Sequence, residues 1–144
     1  MAKPLLVFLC MGNSCRSQMA EGFARRLAGD GWDVTSAGIA PGAVHPRAVA
    51  AMAEVGIELS GHTAKPLDPA ILKRASVIVT LCGDAEERCP LTPRHIRRVH
   101  WPLPDPARAT GDDAVVMAVF RAVRDDIRQR VEDLLAAGGP LRPQ

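Results

Sequence analysis

The stretch Leu5-Leu6-Val7-Phe8-Leu9-Cys10-Met11-Gly12-Asn13-Ser14-Cys15-Arg16-Ser17 reads as strand, tight loop and helix start in immediate succession. Its first six residues are a continuous apolar run of strand length, the signature of a strand covered on both faces in a parallel sheet. Gly12-Asn13 supplies turn chemistry, and from Ser17 the apolar residues Met19, Ala20, Phe23, Ala24 and Leu27 recur at helical spacing until Gly29 and Gly31 stop them. A cysteine thus stands at the carboxyl end of a strand, with an arginine six positions later at the start of a helix. Backbone N–H groups of a tight loop turned toward a helix N-terminus form an oxyanion cradle, and a guanidinium adds two parallel donors. The same field favours thiolate over thiol at Cys10. Residues 10–17 (Cys10, Met11, Gly12, Asn13, Ser14, Cys15, Arg16, Ser17) are therefore the candidate oxyanion-binding loop, with Cys10 as nucleophile and Arg16 as clamp. Cys15 lies inside the loop, but one strand-end nucleophile suffices, so it is read as a packing thiol.

Outward from this unit, strands and helices alternate. A short strand from Asp33 to Ser36 ends at Gly38, and a helix through Val49, Met52, Ala53 and Val55 stops at Gly56. Ser76 to Cys82 is a second buried-strand run, Arg98 to Trp101 a shorter one, and Pro102 to Pro106 a stiff loop that aims Asp105. A last helix runs from about Asp112 to Ala137, with Val116, Phe120, Val123, Ile127, Val131 and Leu134 as its buried stripe and Gly138-Gly139-Pro140 as its stop. Arg121, Arg124, Arg128 and Arg130, interleaved with acids, read as a solvated face. The pattern predicts an α/β fold: a doubly wound, four-stranded parallel sheet of order 2-1-3-4 flanked by helices, with ligands bound outside the carboxyl ends of the strands.

The 144 residues, 47% hydrophobic and 24% charged, suit one domain over 1–144 that buries its own core. A net charge of +2 with 3% aromatic residues leaves no basic stripe interleaved with stacking rings, which argues against nucleic acid as a partner. The apolar run from Pro4 to Met11 is too short to span a membrane and lacks a cleavage site, so the expectation is a cytoplasmic protein without membrane attachment. With no apolar seam beyond the core stripes, the chain reads as a monomer. The four cysteines, Cys10, Cys15, Cys82 and Cys89, then read as a reduced set, catalytic or metal-binding, rather than as a static disulfide framework.

CMGNSCRSQMAEG from Cys10 to Gly22, TLCGDAEERCP from Thr80 to Pro90 and the pair Asp105-Pro106 together resemble the thioredoxin-coupled arsenate reductases built on the low-molecular-weight protein tyrosine phosphatase fold. The similarity runs over nearly the whole chain. It implies reduction of arsenate to arsenite: Cys10 attacks arsenic, Asp105 acts as general acid, Cys82 attacks Cys10, and Cys89 closes a Cys82–Cys89 disulfide that thioredoxin reduces. Cys89 lies too far from Cys82 for a bridge if the segment between them is helical, so residues 83–89 are expected to rearrange. For Asp105 the residues alone leave an ordinary turn aspartate equally open; the catalytic role comes from the resemblance. Phosphate and sulfate are expected as competing oxyanions, with weak phosphatase activity on the side. No cofactor and no metal are expected.

Asn13, Ser14, Ser17 and Ser36 are candidate supports of the loop. Some members of the resembled family hold a potassium ion with residues matching Asn13, Glu21, Ser36 and an aspartate; Lys65 stands at the aspartate's position here, so a fixed ammonium is expected in place of the ion. Three rival readings are a phosphatase proper, a zinc site from Cys82, Cys89, His95 and His100, and an oxyanion binder without turnover. The zinc spacing is loose. His45, His62, His95 and His100 otherwise read as surface or helix-end residues.

Overall fold

A computed structural model describes residues 3–81 and 94–137. Cys82, Cys89, the 83–89 segment and the Gly138-Gly139-Pro140 stop lie outside the described residues. Four strands, β1 (Leu5–Cys10), β2 (Asp33–Gly38), β3 (Val77–Thr80) and β4 (Arg97–His100), form one sheet of order β2-β1-β3-β4, and every neighbouring pair is parallel. This is the order expected. β1 is central and buried at all six positions, which is why its sequence carries no polar alternation.

Helix α1 (Arg16–Ala28) returns along β1 and β2, and α2 (Pro46–Ala53) and α4 (Asp113–Ala136) pack with it. Phe8, Phe23, Met19, Met52, Phe120 and Ile127 belong to the core these elements share. Asp112 caps α4, its carboxylate accepting from the Val115 amide at 3.0 Å. The six-residue helix α3 (Pro69–Arg74) has no counterpart in the sequence reading. It buries only Leu72, so it leaves no apolar period, although Asp68-Pro69 is a sound start signal.

Two expectations need correction. Leu27 is 43% exposed rather than part of the core stripe, because the last turn of α1 opens onto a shallow cleft shared with Phe23, Val55 and Ile57. The arginine face of α4 is not uniformly solvated: Arg124 is buried and donates to Ala51 O at 2.9 Å and Glu54 Oε1 at 2.8 Å, while Arg121 grips both Glu54 oxygens. These arginines satisfy the carboxyl end of α2 and fasten it to α4. Arg128–Glu132 and Arg130–Asp126 are the one-turn surface pairs the pattern suggested.

Candidate active site

β1 delivers Cys10 to the carboxyl edge of the sheet, opposite Gly38 of β2. The following loop is shaped by the strip of backbone that connects β2 to α2. Along residues 39–45, the amides of Ile39, Ala40, Gly42 and His45 donate to the carbonyls of Cys10, Met11, Gly12 and Ser14 at 3.1, 2.8, 3.0 and 3.0 Å. With those carbonyls held on one side, no hydrogen bond among the described residues engages the amides of residues 11–15. Cys15, at the start of α1, supplies no side-chain cap. The loop amides and the free helix N-terminus therefore converge as unsatisfied donors, a cradle for a tetrahedral anion.

Gly38 makes this packing possible. A Cβ there would sit 2.9 Å from Asn13 N and Met11 O and 3.0 Å from Gly12 C, so no other residue fits without displacing the loop. Asn13 is the one non-glycine residue with positive φ, +50°, among the described residues. Asparagine tolerates this left-handed conformation, and its amide compensates by bonding on both sides. Oδ1 accepts from Lys65 N at 2.8 Å and Gln18 Nε2 at 3.0 Å, while Nδ2 donates to Ser17 Oγ and Ser36 Oγ, each at 2.8 Å.

Those contacts assign direction to the rest. Ser36 donates to Glu21 Oε1 at 2.5 Å, and Ser17, already accepting from Asn13, is left to direct its hydroxyl proton at Cys10 Sγ, 2.9 Å away. A donor aimed at sulfur stabilises thiolate over thiol. Glu21 is nearly fully buried, and burial pushes its pKa up; the Ser36 and Arg25 hydrogen bonds and the charges of Lys65 and Arg25 outweigh that and leave it below the ordinary carboxylate value. Lys65 Nζ lies 3.4 Å from Glu21 Oε1 and 3.3 Å from Thr63 O. This set does not fit a potassium ion: the ammonium already supplies the positive charge at Glu21, and Asn13 turns its NH2 group, not its oxygen, toward Ser36.

Arg16 is buried, and its Nη1 is pinned by Leu103 O at 2.9 Å and Leu81 O at 3.3 Å. Its Nη2 lies 3.7 Å from Asp105 Oδ2. Asp105 sits within the Pro102–Pro106 stretch, in extended backbone. It caps a short 3-10 turn over Pro106–Arg108, its Oδ1 accepting from Ala107 N at 3.0 Å, so the turn amide orients the carboxyl. Cys10, Met11, Gly12, Ser14, Cys15, Arg16, Asp105 and Ala107 line a cleft of about 190 Å³. A larger depression of about 350 Å³ between Arg25, Trp32 and Arg74 lies elsewhere, and no cysteine is among the described residues that line it. Cys15 is a different thiol from Cys10: burial foremost, aided by the charges of Asp105 and Cys10 and opposed by the Ser14 hydrogen bond and Arg16, pushes its pKa up to about 12.

The structure thus gathers Cys10, Arg16 and Asp105, which are distant in sequence, around one cleft. Sequence reasoning missed Gly38 as a packing requirement, the 39–45 strip, and Gln18 and His62. His62 is no mere surface residue; it meets the buried Gln18. His45 caps α2, the helix-end role expected of it, and packs on Phe120; the exposed His100 bonds Thr80.

Residues 5–139 match the low molecular weight phosphotyrosine protein phosphatase family. The chain belongs to this family. Within it, an arsenate reductase of Bacillus licheniformis is 49% identical over 138 residues, 96% of this chain and 99% of the relative. A solved arsenate reductase in its phosphate-binding state matches with TM-score 0.76 at 38% identity, over 93% of this chain and 98% of that one. A thioredoxin-dependent arsenate reductase of Corynebacterium glutamicum matches with TM-score 0.76 at 25% identity, over 94% of this chain and 61% of that one. The phosphatase-family loop at residues 10–17 is therefore set in a chain whose full-length relatives are arsenate reductases. Among the described residues, no helix is long and apolar enough to cross a membrane.

Proposed function

We propose that this phosphatase-family chain reduces arsenate to arsenite by a three-cysteine relay regenerated by thioredoxin. One observation carries the reading: Cys10, Arg16 and Asp105 line one cleft with the free loop amides, which brings together the nucleophile, the clamp, the acid and the donors that a tetrahedral oxyanion needs. Arsenate sits on the amides of residues 11–17 with Arg16 as clamp. The Cys10 thiolate attacks arsenic while Asp105 protonates the departing hydroxyl as water. Cys82 then attacks Cys10 Sγ. The sulfur–arsenic bond breaks with its electron pair on arsenic, arsenite leaves, and a Cys10–Cys82 disulfide remains. Cys89 attacks Cys82, freeing Cys10 as thiolate and leaving Cys82–Cys89 for a thioredoxin dithiol to reduce.

Supporting the reading, Leu81 immediately precedes Cys82, its amide donates to Leu9 O at 3.0 Å, and its carbonyl accepts from Arg16. Leu81, the residue before Cys82 in sequence, therefore lies beside the end of β1. The names of the full-length relatives support the substrate, and that of the Corynebacterium protein supports the reductant. Phosphate is near-isosteric with arsenate, so slow ester hydrolysis by Cys10, Arg16 and Asp105 accompanies the main reaction.

The test is anaerobic: one equivalent of arsenate is added to fully reduced protein, arsenite is quantified and disulfides are mapped by mass spectrometry. Arsenite with a Cys82–Cys89 bond is expected. Cys10→Ser should abolish all activity, while Cys82→Ser and Cys89→Ser should stop arsenate turnover and leave ester hydrolysis. Normal turnover of Cys89→Ser with thioredoxin would overturn the relay.

A further inference from the structure

The loop that holds Cys10 is wired to the surface by an unbroken line of hydrogen bonds whose outer end is His62. Gln18, fully buried, donates from Nε2 to Thr63 O and Asn13 Oδ1 at 3.0 Å and Asn13 O at 3.2 Å. Three carbonyl acceptors on one side fix its amide nitrogen there and turn Oε1 toward His62 Nδ1, 3.0 Å away. An amide oxygen only accepts, so His62 carries its proton on Nδ1 whether the ring is neutral or charged.

Every bond in the line then points the same way. His62 Nδ1–H donates to Gln18, Gln18 to Asn13, Asn13 to Ser17, and Ser17 to Cys10 Sγ. Hydrogen bonds aligned head to tail polarise one another, so a better donor at the outer end strengthens the last bond onto sulfur. The ring is partly exposed, and the charged group facing it is Glu21, with Oε2 3.8 Å from Nδ1 and with Arg25 and Lys65 on its other sides.

We infer that His62 is a positioning residue for the Cys10 thiolate, acting through Gln18, Asn13 and Ser17. It never touches substrate. The inference rests on Cys10 as the reactive thiol, but on no part of the arsenate relay.

The experiment follows alkylation of Cys10 by iodoacetamide from pH 5 to 9, reading the Cys10 peptide by mass spectrometry in wild type, His62→Ala, His62→Gln and Gln18→Leu. Removing the donor in His62→Ala should slow the reaction about two- to fourfold at pH 6 and move the profile to higher pH, as expected for one aligned bond acting on a charge-assisted one. His62→Gln places an amide donor at the same point and should restore part of the rate. Gln18→Leu should behave like His62→Ala, and comparing the two guards against a folding defect in either. A wild-type profile in a folded His62→Ala protein would overturn the inference. So would failure of His62→Gln to restore any rate. Because no arsenic enters the assay, either result is independent of the proposed reduction.

Discussion

Gly38 offers the sharpest test of how the loop is built. Gly38→Ala would place a methyl group 2.9 Å from two backbone atoms of the loop and 3.0 Å from a third. None of these is the end of a flexible side chain, so relief requires moving the main chain of Met11, Gly12 and Asn13. Forcing one methyl into so tight a contact costs about 1–3 kcal/mol. For a domain of this size that corresponds to a fall in Tm of about 3–12 °C. Activity should suffer more, since displacing catalytic donors by about 1 Å costs on the order of 100-fold in rate. Gly42→Ala is the control: a Cβ at Gly42 meets nothing within 4 Å, although its amide also bonds the loop. Thermal melts and kcat/KM for arsenate, with hydrolysis of an aryl phosphate as a second readout, should separate the two variants. Wild-type melting and turnover in Gly38→Ala would refute the claim that this contact shapes the cradle.

Other outcomes follow from the charges. Hydrogen bonds from Arg121 and Arg124 lower Glu54 to about 2, below the unfolded carboxylate value, so the unfolded state binds the extra proton. The contribution of Glu54 to stability is therefore present above about pH 4.3 and is lost as pH falls toward 2. Urea melts of Glu54→Gln should show it weaker than wild type at pH 7, with the gap closing in that window; a gap that widens on acidification would contradict the pairing. Because Lys65 supplies the positive charge beside Glu21, exchanging sodium for potassium at constant ionic strength should leave turnover unchanged, and a clear rise would count against that role. Cys15, with its thiol pushed up to about 12, should resist alkylation at pH 8 while Cys10 reacts, and Cys15→Ala should retain near-normal activity. Loss of most activity in that variant would give Cys15 more than a packing role.

The short elements mark where sequence reading loses resolution. A strand buried on both faces, such as Leu5–Cys10, declares itself by composition, and a long helix such as Asp113–Ala136 by its repeating stripe. Helix α3 buries one leucine and declares nothing. Arg124 shows the converse: its acidic neighbours in sequence suggest a solvated face, and Asp125 is indeed one partner, but it also bonds Ala51 and Glu54, seventy or more residues away, and is buried.

The site divides along the same line. Cys10, Arg16 and the loop between them are local, since strand end, turn and helix start are dictated by neighbouring residues, and the anion cradle was legible before any fold was known. Sheet order was also within reach, because alternating strands and helices restrict the topology of a parallel sheet. What only tertiary structure decided is every contact that crosses the chain. Gly38 must be bare because β2 lies against the loop; the carbonyls of Cys10, Met11, Gly12 and Ser14 are occupied because residues 39–45 run beside them. Asp105 faces Arg16 because β4 ends beside β3, and Gln18 and His62 join the nucleophile's hydrogen-bond line because residues 62–65 fold over α1. A sequence fixes the donors and acceptors each residue carries, but hydrogen bonds act over about 3 Å, and only packing determines which groups come that close.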